Sequence, residues 1–323
     1  MKYSFGIDVG GTTVKCGLFD NGLSLLEKWE LITDKSEQGK HIPGDIAASV
    51  AEKIKERNLS AADIAGIGIG VPGPVLNQSV VRRCVNLGWG VFDARAAFEK
   101  ELEAVLKVKL PVFIENDANV AALGEALKGS GSSYKSLVMI TLGTGVGGGV
   151  IIDGRIISGA GGAAGEIGHM TVLYDEQESC NCGKKGCLEQ IASATGIVRY
   201  ARRLLHETTE PSVLRKSGAD DTLSAKEVFE ASAGGDIIAD RVVNTVCDYL
   251  ALAISHITCI VNPEAVVLGG GVSKAGQVLI DTVSQYYKKR AFAGCRDTDI
   301  IRAVLGNDAG IYGAAALVGT PEA

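Results

Sequence analysis

The sequence predicts an α/β protein assembled from two related halves. Three observations point there. Short apolar, strand-like runs alternate with segments of helical periodicity. A shift of 133 positions lays residues 7–11 (IDVGG) over 140–144 (ITLGT) and 18–20 (LFD) over 151–153 (IID). Finally, the 42 glycines are not periodic but gather in a few runs, the mark of sites built from backbone. Each half reads strand, glycine turn, strand, aspartate, and GIGIGVPG holds the place in the first half that AVVLGGGV holds in the second. Two such halves with their turns facing each other would enclose a cleft between two lobes.

The elements follow in order. Tyr3–Val9 and residues 14–19 are apolar runs divided by Gly10-Gly11-Thr12, and Asp20-Asn21-Gly22 turns the chain into a third run, a β-meander. Ile46, Val50 and Ile54 recur at helical spacing after Pro43, so an amphipathic helix is expected over 45–57. Ile64–Val71 is a strand ending at Pro72-Gly73-Pro74. Phe98, Leu102 and Leu106 mark another helix, residues 112–115 a strand, and Asp117–Lys128 a helix stopping at Gly129. The polar stretch 129–136 is a loop. The strand 137–141 enters LGTGVGGG, and 150–152 with Asp153-Gly154 reads as a hairpin. A long helix over about 236–261 closes at Asn262-Pro263, a buried strand over 265–268 enters Gly269-Gly270-Gly271, and an Ala-rich helix over about 310–318 ends the pattern.

Composition narrows the function. The 323 residues suit two ordinary domains or one large one; at 46% apolar and 22% charged they predict a buried core rather than disorder. A formal charge of −6 without a basic stripe argues against a sequence-independent nucleic-acid binder, yet allows a nucleotide held by backbone amides and a metal. The start MKYSFGIDVGG is too short and glycine-rich for a signal peptide, and no apolar stretch reaches membrane-span length. A cytoplasmic protein with no membrane partner is therefore expected, in which clustered cysteines read as metal ligands before disulfides. Of eight cysteines, Cys180, Cys182 and Cys187 cluster; Cys16, Cys84, Cys247, Cys259 and Cys295 are expected to be small core residues.

Both GTGVGG (143–148) and GIGVPG (68–73) satisfy G-x-G-x-x-G. A dinucleotide fold requires a helix after the glycine turn, whereas a strand and turn follow residue 149, and no G-x-x-x-x-G-K-[ST] exists. What remains is a hairpin whose tight turn exposes amides. DVGGTT (8–13) offers the same, with the hydroxyls of Thr12 and Thr13 nearby. Two such turns suit the β- and γ-phosphates, with Asp8 serving Mg²⁺ through its water shell. Asp117 lies at a strand-to-helix junction, where it is either an N-cap or a side chain projecting into a cleft. Asn116 beside it has both donor and acceptor. Glu166 and His169, three apart, share a helical face or lie close in a turn. His169, Cys180, Cys182 and Cys187 supply one nitrogen and three sulfurs, a closed tetrahedral set for structural Zn²⁺. With one ring nitrogen on zinc, the other is fixed as a donor.

With these motifs in this order, the sequence resembles the ROK (repressor, ORF, kinase) family of sugar kinases, within the actin/hexokinase/Hsp70-like superfamily, over nearly the whole chain. DVGGTT and LGTGVGGG resemble the two phosphate motifs and LGGGV (268–272) the adenosine-side motif; ENDAN (115–119), GEIGHM (165–170) and CNCGKKGCLE (180–189) match the remaining signatures. The resemblance implies a two-lobed actin-like (ribonuclease H-like) ATPase fold with a duplicated β-meander-plus-helix core and an interlobe cleft. The small lobe would span 1–116, with a C-terminal helix at about 305–323 packing back on it, and the large lobe 117–304 would carry the zinc.

The same resemblance implies that Asp8, Gly10, Gly11, Thr12, Thr13, Gly143, Thr144, Gly145, Gly270 and Gly271 bind ATP with Mg²⁺. Asp117 would be the base for the sugar 6-hydroxyl, and Asn116, Glu166, His169 and Glu189 would bind sugar hydroxyls. Gly73 would offer a backbone contact, and Asn86 in NLGW matches the family's N-L-x-G-W one residue short. Dimers or tetramers are common in the family. The GEIGH and NLGW segments resemble its glucokinases, making glucose 6-phosphate from ATP and D-glucose, with an N-acylhexosamine kinase as the alternative. The family's repressors carry a winged-helix segment before the first phosphate motif, for which the residues preceding Asp8 leave no room. Both loops together with Asp117 disfavour a catalytically dead sugar-binding module.

Overall fold

Residues Tyr3–Val9 (β1), Thr13–Asp20 (β2) and Leu25–Ile32 (β3) form the meander: β1 and β2 run antiparallel with Val9 opposite Val14, and β2 pairs antiparallel with β3. The computed structural model describes residues 2–319; Met1 and residues 320–323, with them the end of the expected 305–323 segment, lie outside the described residues. Helix Ile42–Glu56 (α1) begins three residues before the expected start, because Pro43 fits the first helical turn, where its missing N–H costs nothing. The parallel strand Ile64–Val71 (β4) follows. The two-residue strands Val75–Leu76 (β5), Val80–Val81 (β6) and Phe92–Asp93 (β7) make a small separate sheet, too short for hydrophobic periodicity to reveal. Helix Ala94–Leu106 (α2), strand Val112–Asn116 (β8) and helix Asp117–Lys128 (α3) complete the first half.

The second half repeats the plan. Leu137–Leu142 (β9) and Val146–Ile152 (β10) are followed by Arg155–Ile156 (β11) across a two-residue turn in which Asp153 and Gly154 both take positive φ, 48° and 76°. After short helices Glu189–Ala192 (α4), Ala194–Glu207 (α5), Arg215–Ala219 (α6) and Ala225–Ala233 (α7) comes the 25-residue helix Ile237–Val261 (α8). Ala265–Gly269 (β12), Gln277–Arg290 (α9), Asp299–Arg302 (β13) and Ala309–Leu317 (α10) complete the elements of the described residues. The sheet orders are β3-β2-β1-β4-β8 and β11-β10-β9-β12-β13. In both, the first strand of the half is central, with its meander partners on one side and two parallel strands on the other. The duplication visible in the sequence is thus a duplication of sheet topology.

The chain divides into two compact units. One gathers the chain up to Ser133, Gly149–Gly165 and the chain from Asn307; the other holds Tyr134–Gly148 and Glu166–Gly306. Within the first, β-carbons are absent where α10 presses on its neighbours. A β-carbon on Gly68 would fall 1.7 Å from the Ala314 carbonyl oxygen, and one on Gly313 would fall 1.7 Å from that of Val120. Gly68→Ala is therefore expected to destabilise by ~3 kcal/mol, the upper end for overpacking. Gly90→Ala, where nothing lies within 4 Å, should be neutral. Urea unfolding of the two variants checks this. Cys16, Cys84, Cys247 and Cys295 are buried as expected; Cys259 is not, because it lies on the solvent face of α8 beside exposed His256 and Ile260.

Candidate active site

The junction of β8 and α3 carries Asp117. Asn116, at φ −64° and ψ 143°, turns its Oδ1 back to accept from the N–H groups of Ala118 (2.9 Å) and Asn119 (3.1 Å). The helix cap is thus Asn116 and not Asp117, Asn being as good a cap as Asp. Asp117 is the first helical residue and accepts from the Ala118 N–H at 2.8 Å. Asn116 Nδ2 donates to the Gly73 carbonyl at 3.1 Å. Both lone pairs of Oδ1 and one N–H are therefore engaged within the chain, which leaves the second N–H of Nδ2. Gly73 sits at φ 94°, where a β-carbon would come within 2.3 Å of the Arg83 carbonyl oxygen.

Glu115, quoted in ENDAN but given no role by sequence reasoning, underlies this junction. It is 3% exposed; Oε1 accepts from the Asn116 N–H (2.8 Å) and Asn119 Nδ2 (3.0 Å), and Oε2 from Ser158 Oγ (2.9 Å). The signal was a carboxylate ending the otherwise apolar strand VFI.

DVGGTT closes as a tight turn: the Gly10 N–H donates to the Thr13 carbonyl (3.0 Å), and Thr33 ties both arms, its hydroxyl to Gly10 O (2.7 Å) and its N–H to Thr12 O (3.0 Å). Gly11 faces Asn86, which lies exposed in a single 3₁₀ turn over Val85–Leu87: a β-carbon on Gly11 would stand 3.7 Å from Asn86 Cβ. Asp8, the penultimate residue of β1, lies against α10, with the position of a Gly310 β-carbon 2.7 Å from its carboxyl carbon. Burial pushes the Asp8 pKa up, and the Lys15 charge only partly opposes this.

A native pKa above the unfolded 3.8 means that the folded state holds the extra proton between the two values. Asp8 therefore adds stability below that window, which is lost as pH rises through it, and its charge at neutral pH is a cost. Asp8→Asn should raise the Tm of the nucleotide-free protein at pH 7 while lowering turnover ~10²-fold or more, if the charge serves the phosphates. Thermal unfolding and turnover of one preparation check both.

In the second unit, LGTGVGGG also closes on itself, Gly143 N–H donating to Gly145 O at 2.9 Å. The start of α5 braces it, with Ala194 N–H on Gly143 O (2.8 Å) and Thr195 Oγ1 on Thr144 O (2.9 Å). Sequence reasoning missed these braces, which lie about 50 residues downstream with no motif of their own. Glu189, expected at the sugar, accepts from the Val146 N–H at 3.0 Å through Oε2, and a β-carbon on Gly145 would lie 2.4 Å from that oxygen. Gly270, at φ 82°, packs on Leu142, where a β-carbon would come 2.5 Å from its carbonyl oxygen; a β-carbon on Gly271 would meet nothing within 4 Å.

His169 faces two ways. Its Nδ1 is 3.9 Å from Cys180 Sγ and its Nε2 is 3.8 Å from Glu166 Oε2. The donor atoms of His169, Cys180, Cys182 and Cys187 all lie within 4.8 Å of one another. Cys182 and Cys187 sulfurs are 3.6 Å apart, far beyond a disulfide's ~2.05 Å and close to the ~3.8 Å edge of a tetrahedron with Zn–S bonds of ~2.3 Å. Burial and the neighbouring thiols push the Cys187 pKa up to about 12, a penalty that a bound dication would remove. The four residues fit a zinc ion.

Comparison with known proteins accords with these motifs. The sequence profile of the ROK family matches residues 4–320. The chain belongs to the ROK family. A glucokinase of Halalkalibacterium halodurans is 41% identical over 323 residues, covering 99% of this chain and 96% of the relative. A glucokinase of Thermotoga maritima is 35% identical over 318 residues, covering 97% and 96%. Among solved structures, a ROK family glucokinase from Streptomyces griseus in complex with glucose and AMPPNP matches with a TM-score of 0.76 and 32% identity, covering 98% of both chains. The fold is that of the actin-like ATPases to which ROK kinases belong. No helix among the described residues is long and apolar enough to cross a membrane.

Proposed function

We propose that the protein is a glucokinase, transferring the γ-phosphoryl group of ATP to the 6-hydroxyl of D-glucose with Asp117 as the general base. The observation that carries this reading is the junction at Asn116–Asp117: a cap supplied by one residue leaves the next as a carboxylate at a helix N-terminus. As the 6-oxygen bonds to the γ-phosphorus, its proton passes to the Asp117 carboxylate, the bond to the β,γ-bridging oxygen breaks, and ADP leaves. Asn116 donates its remaining N–H to a sugar hydroxyl; Glu166, His169 Nε2 and Glu189 orient the others, Gly73 holds Asn116, and Asn86 flanks the first glycine turn.

The amides of 10–13 and 143–145 cradle the phosphates, and Gly270-Gly271 lets the adenosine approach the backbone. Mg²⁺, served by Asp8, would supply charge neutralisation on the β- and γ-oxygens. Zinc on His169, Cys180, Cys182 and Cys187 is structural in this reading and fixes the tautomer of His169. A cytoplasmic location suits three thiolate ligands, which need a reducing compartment. A coupled ADP-release assay across glucose, mannose, fructose, N-acetylglucosamine and N-acetylmannosamine, with ATP and polyphosphate as donors, tests the substrate. Glucose with ATP should give the highest kcat/KM; a higher value for an N-acyl sugar would replace the reading.

A further inference from the structure

Two costly side chains meet beneath the start of α3. Glu115 stands near the end of the apolar run of β8, yet its carboxylate is 3% exposed. It is met by three neutral donors: Ser158 Oγ on Oε2, and the Asn116 N–H and Asn119 Nδ2 on Oε1. Asn119, in the first turn of α3, is 1% exposed, and its Oδ1 is buried with no hydrogen-bond partner among the described residues. Turning that amide over would set its oxygen against a carboxylate oxygen, so Glu115 fixes the amide at the expense of an unsatisfied acceptor. Packing calls for neither group. A leucine at 115 would extend the apolar strand, and an apolar residue at 119 would bury no unpaired oxygen. What the pair does hold is the backbone on either side of Asp117.

The carboxylate is itself anchored from a third segment. Ser158 opens the glycine-rich stretch after β11, and its carbonyl accepts from the Ala164 N–H at 3.0 Å, closing that stretch into a loop. Gly162, at φ 70°, seats the loop on β5, where a β-carbon would fall 2.2 Å from the Val75 carbonyl oxygen. Fastened at both places, the loop gives Ser158 Oγ a fixed position, and through it Glu115 Oε2. All of these residues belong to the first unit.

We propose that Glu115 and Ser158 are positioning residues for the phosphoryl transfer: Ser158 orients the Glu115 carboxylate, which orients the peptide before Asp117 and so aims the base. The inference rests on the reading of Asp117 as that base, and neither residue touches substrate. The effect falls on kcat more than on KM. Asn116 keeps its cap bonds and its bond to Gly73 whether or not Ser158 is present, so the sugar is still held. Proton transfer depends on one distance and one direction, and a misplacement of ~1 Å costs ~10²-fold.

The test is a set of Ser158 variants of the full chain, alone and combined with Asp117→Asn. Ser158→Ala removes the hydroxyl and Ser158→Thr keeps it; Ser158 lines an open pocket of about 630 Å³, so the added methyl has room. Ser158→Ala should lower kcat for glucose about tenfold, with KM within about twofold and Tm within about 2 °C of the parent. Ser158→Thr should restore at least half of the parent kcat. In the Asp117→Asn background, Ser158→Ala should lower kcat less than about twofold further, since a residue that acts through the base then has nothing left to aim. A merely structural role would give the same loss in both backgrounds. The proposal is overturned by parent kcat in Ser158→Ala, by a loss that Ser158→Thr does not relieve, or by equal losses in the two backgrounds. Slow Asp117→Asn beside normal Ser158→Ala sinks the positioning role alone, whereas parent turnover in Asp117→Asn sinks the reading of the base on which it rests.

Discussion

Asp117→Asn is expected to lower kcat for glucose ~10²–10⁴-fold, the contribution of a general base, while glucose still binds and the protein still folds. That corresponds to ~3–5 kcal/mol of transition-state stabilisation. The variant is informative because of the cap. Asn116, not Asp117, supplies the helix cap, so replacing Asp117 leaves the cap in place; the loss of a carboxylate at the helix N-terminus costs ~0.3–1 kcal/mol. Asn116→Ala should behave differently. It loses the cap, ~1 kcal/mol, together with the bond to Gly73, and should raise KM as well as lower stability. Steady-state kinetics with intrinsic-fluorescence titration of glucose separates the two. Near-normal turnover in folded Asp117→Asn would remove Asp117 from the chemistry.

Loss of the proposed zinc is the second large effect expected. A chelator, or Cys187→Ser, should lower the Tm and reduce kcat/KM for glucose ~10–100-fold, the usual cost of disturbing what orients a working histidine. The geometry links the two consequences, because His169 presents Nδ1 to the cysteines and Nε2 toward Glu166. The loop is also tied to α5 by Arg199, whose guanidinium meets Glu176 (2.7 Å) and Glu178 (2.6 Å), so its collapse would be felt at the base of that helix. Metal analysis alongside differential scanning calorimetry checks the prediction. A zinc-free preparation with unchanged Tm and full activity would uncouple the metal from the sugar site.

Much of this was legible because the relevant signals are local. The meander, the Asp117–Lys128 helix and the glycine turns announce themselves by period, cap and turn residues within a few positions. The strands β5, β6 and β7 were not, since two residues carry no period. Nor was the capping role of Asn116: adjacent Asn and Asp are equally good caps, and only the backbone angles decide between them. Partners distant in sequence were equally hidden. Ser158 on Glu115, Thr33 on Gly10, Thr195 on Thr144 and Gly310 against Asp8 are contacts of tertiary structure, invisible to spacing.

The most direct test of the kinase reading is the yield of glucose 6-phosphate per ADP released from ATP and D-glucose, followed by ³¹P NMR on the intact protein. One glucose 6-phosphate should appear for each ADP, and both should fall together in Asp117→Asn. ADP released without glucose 6-phosphate, or glucose 6-phosphate formed at the parent rate by Asp117→Asn, would contradict it.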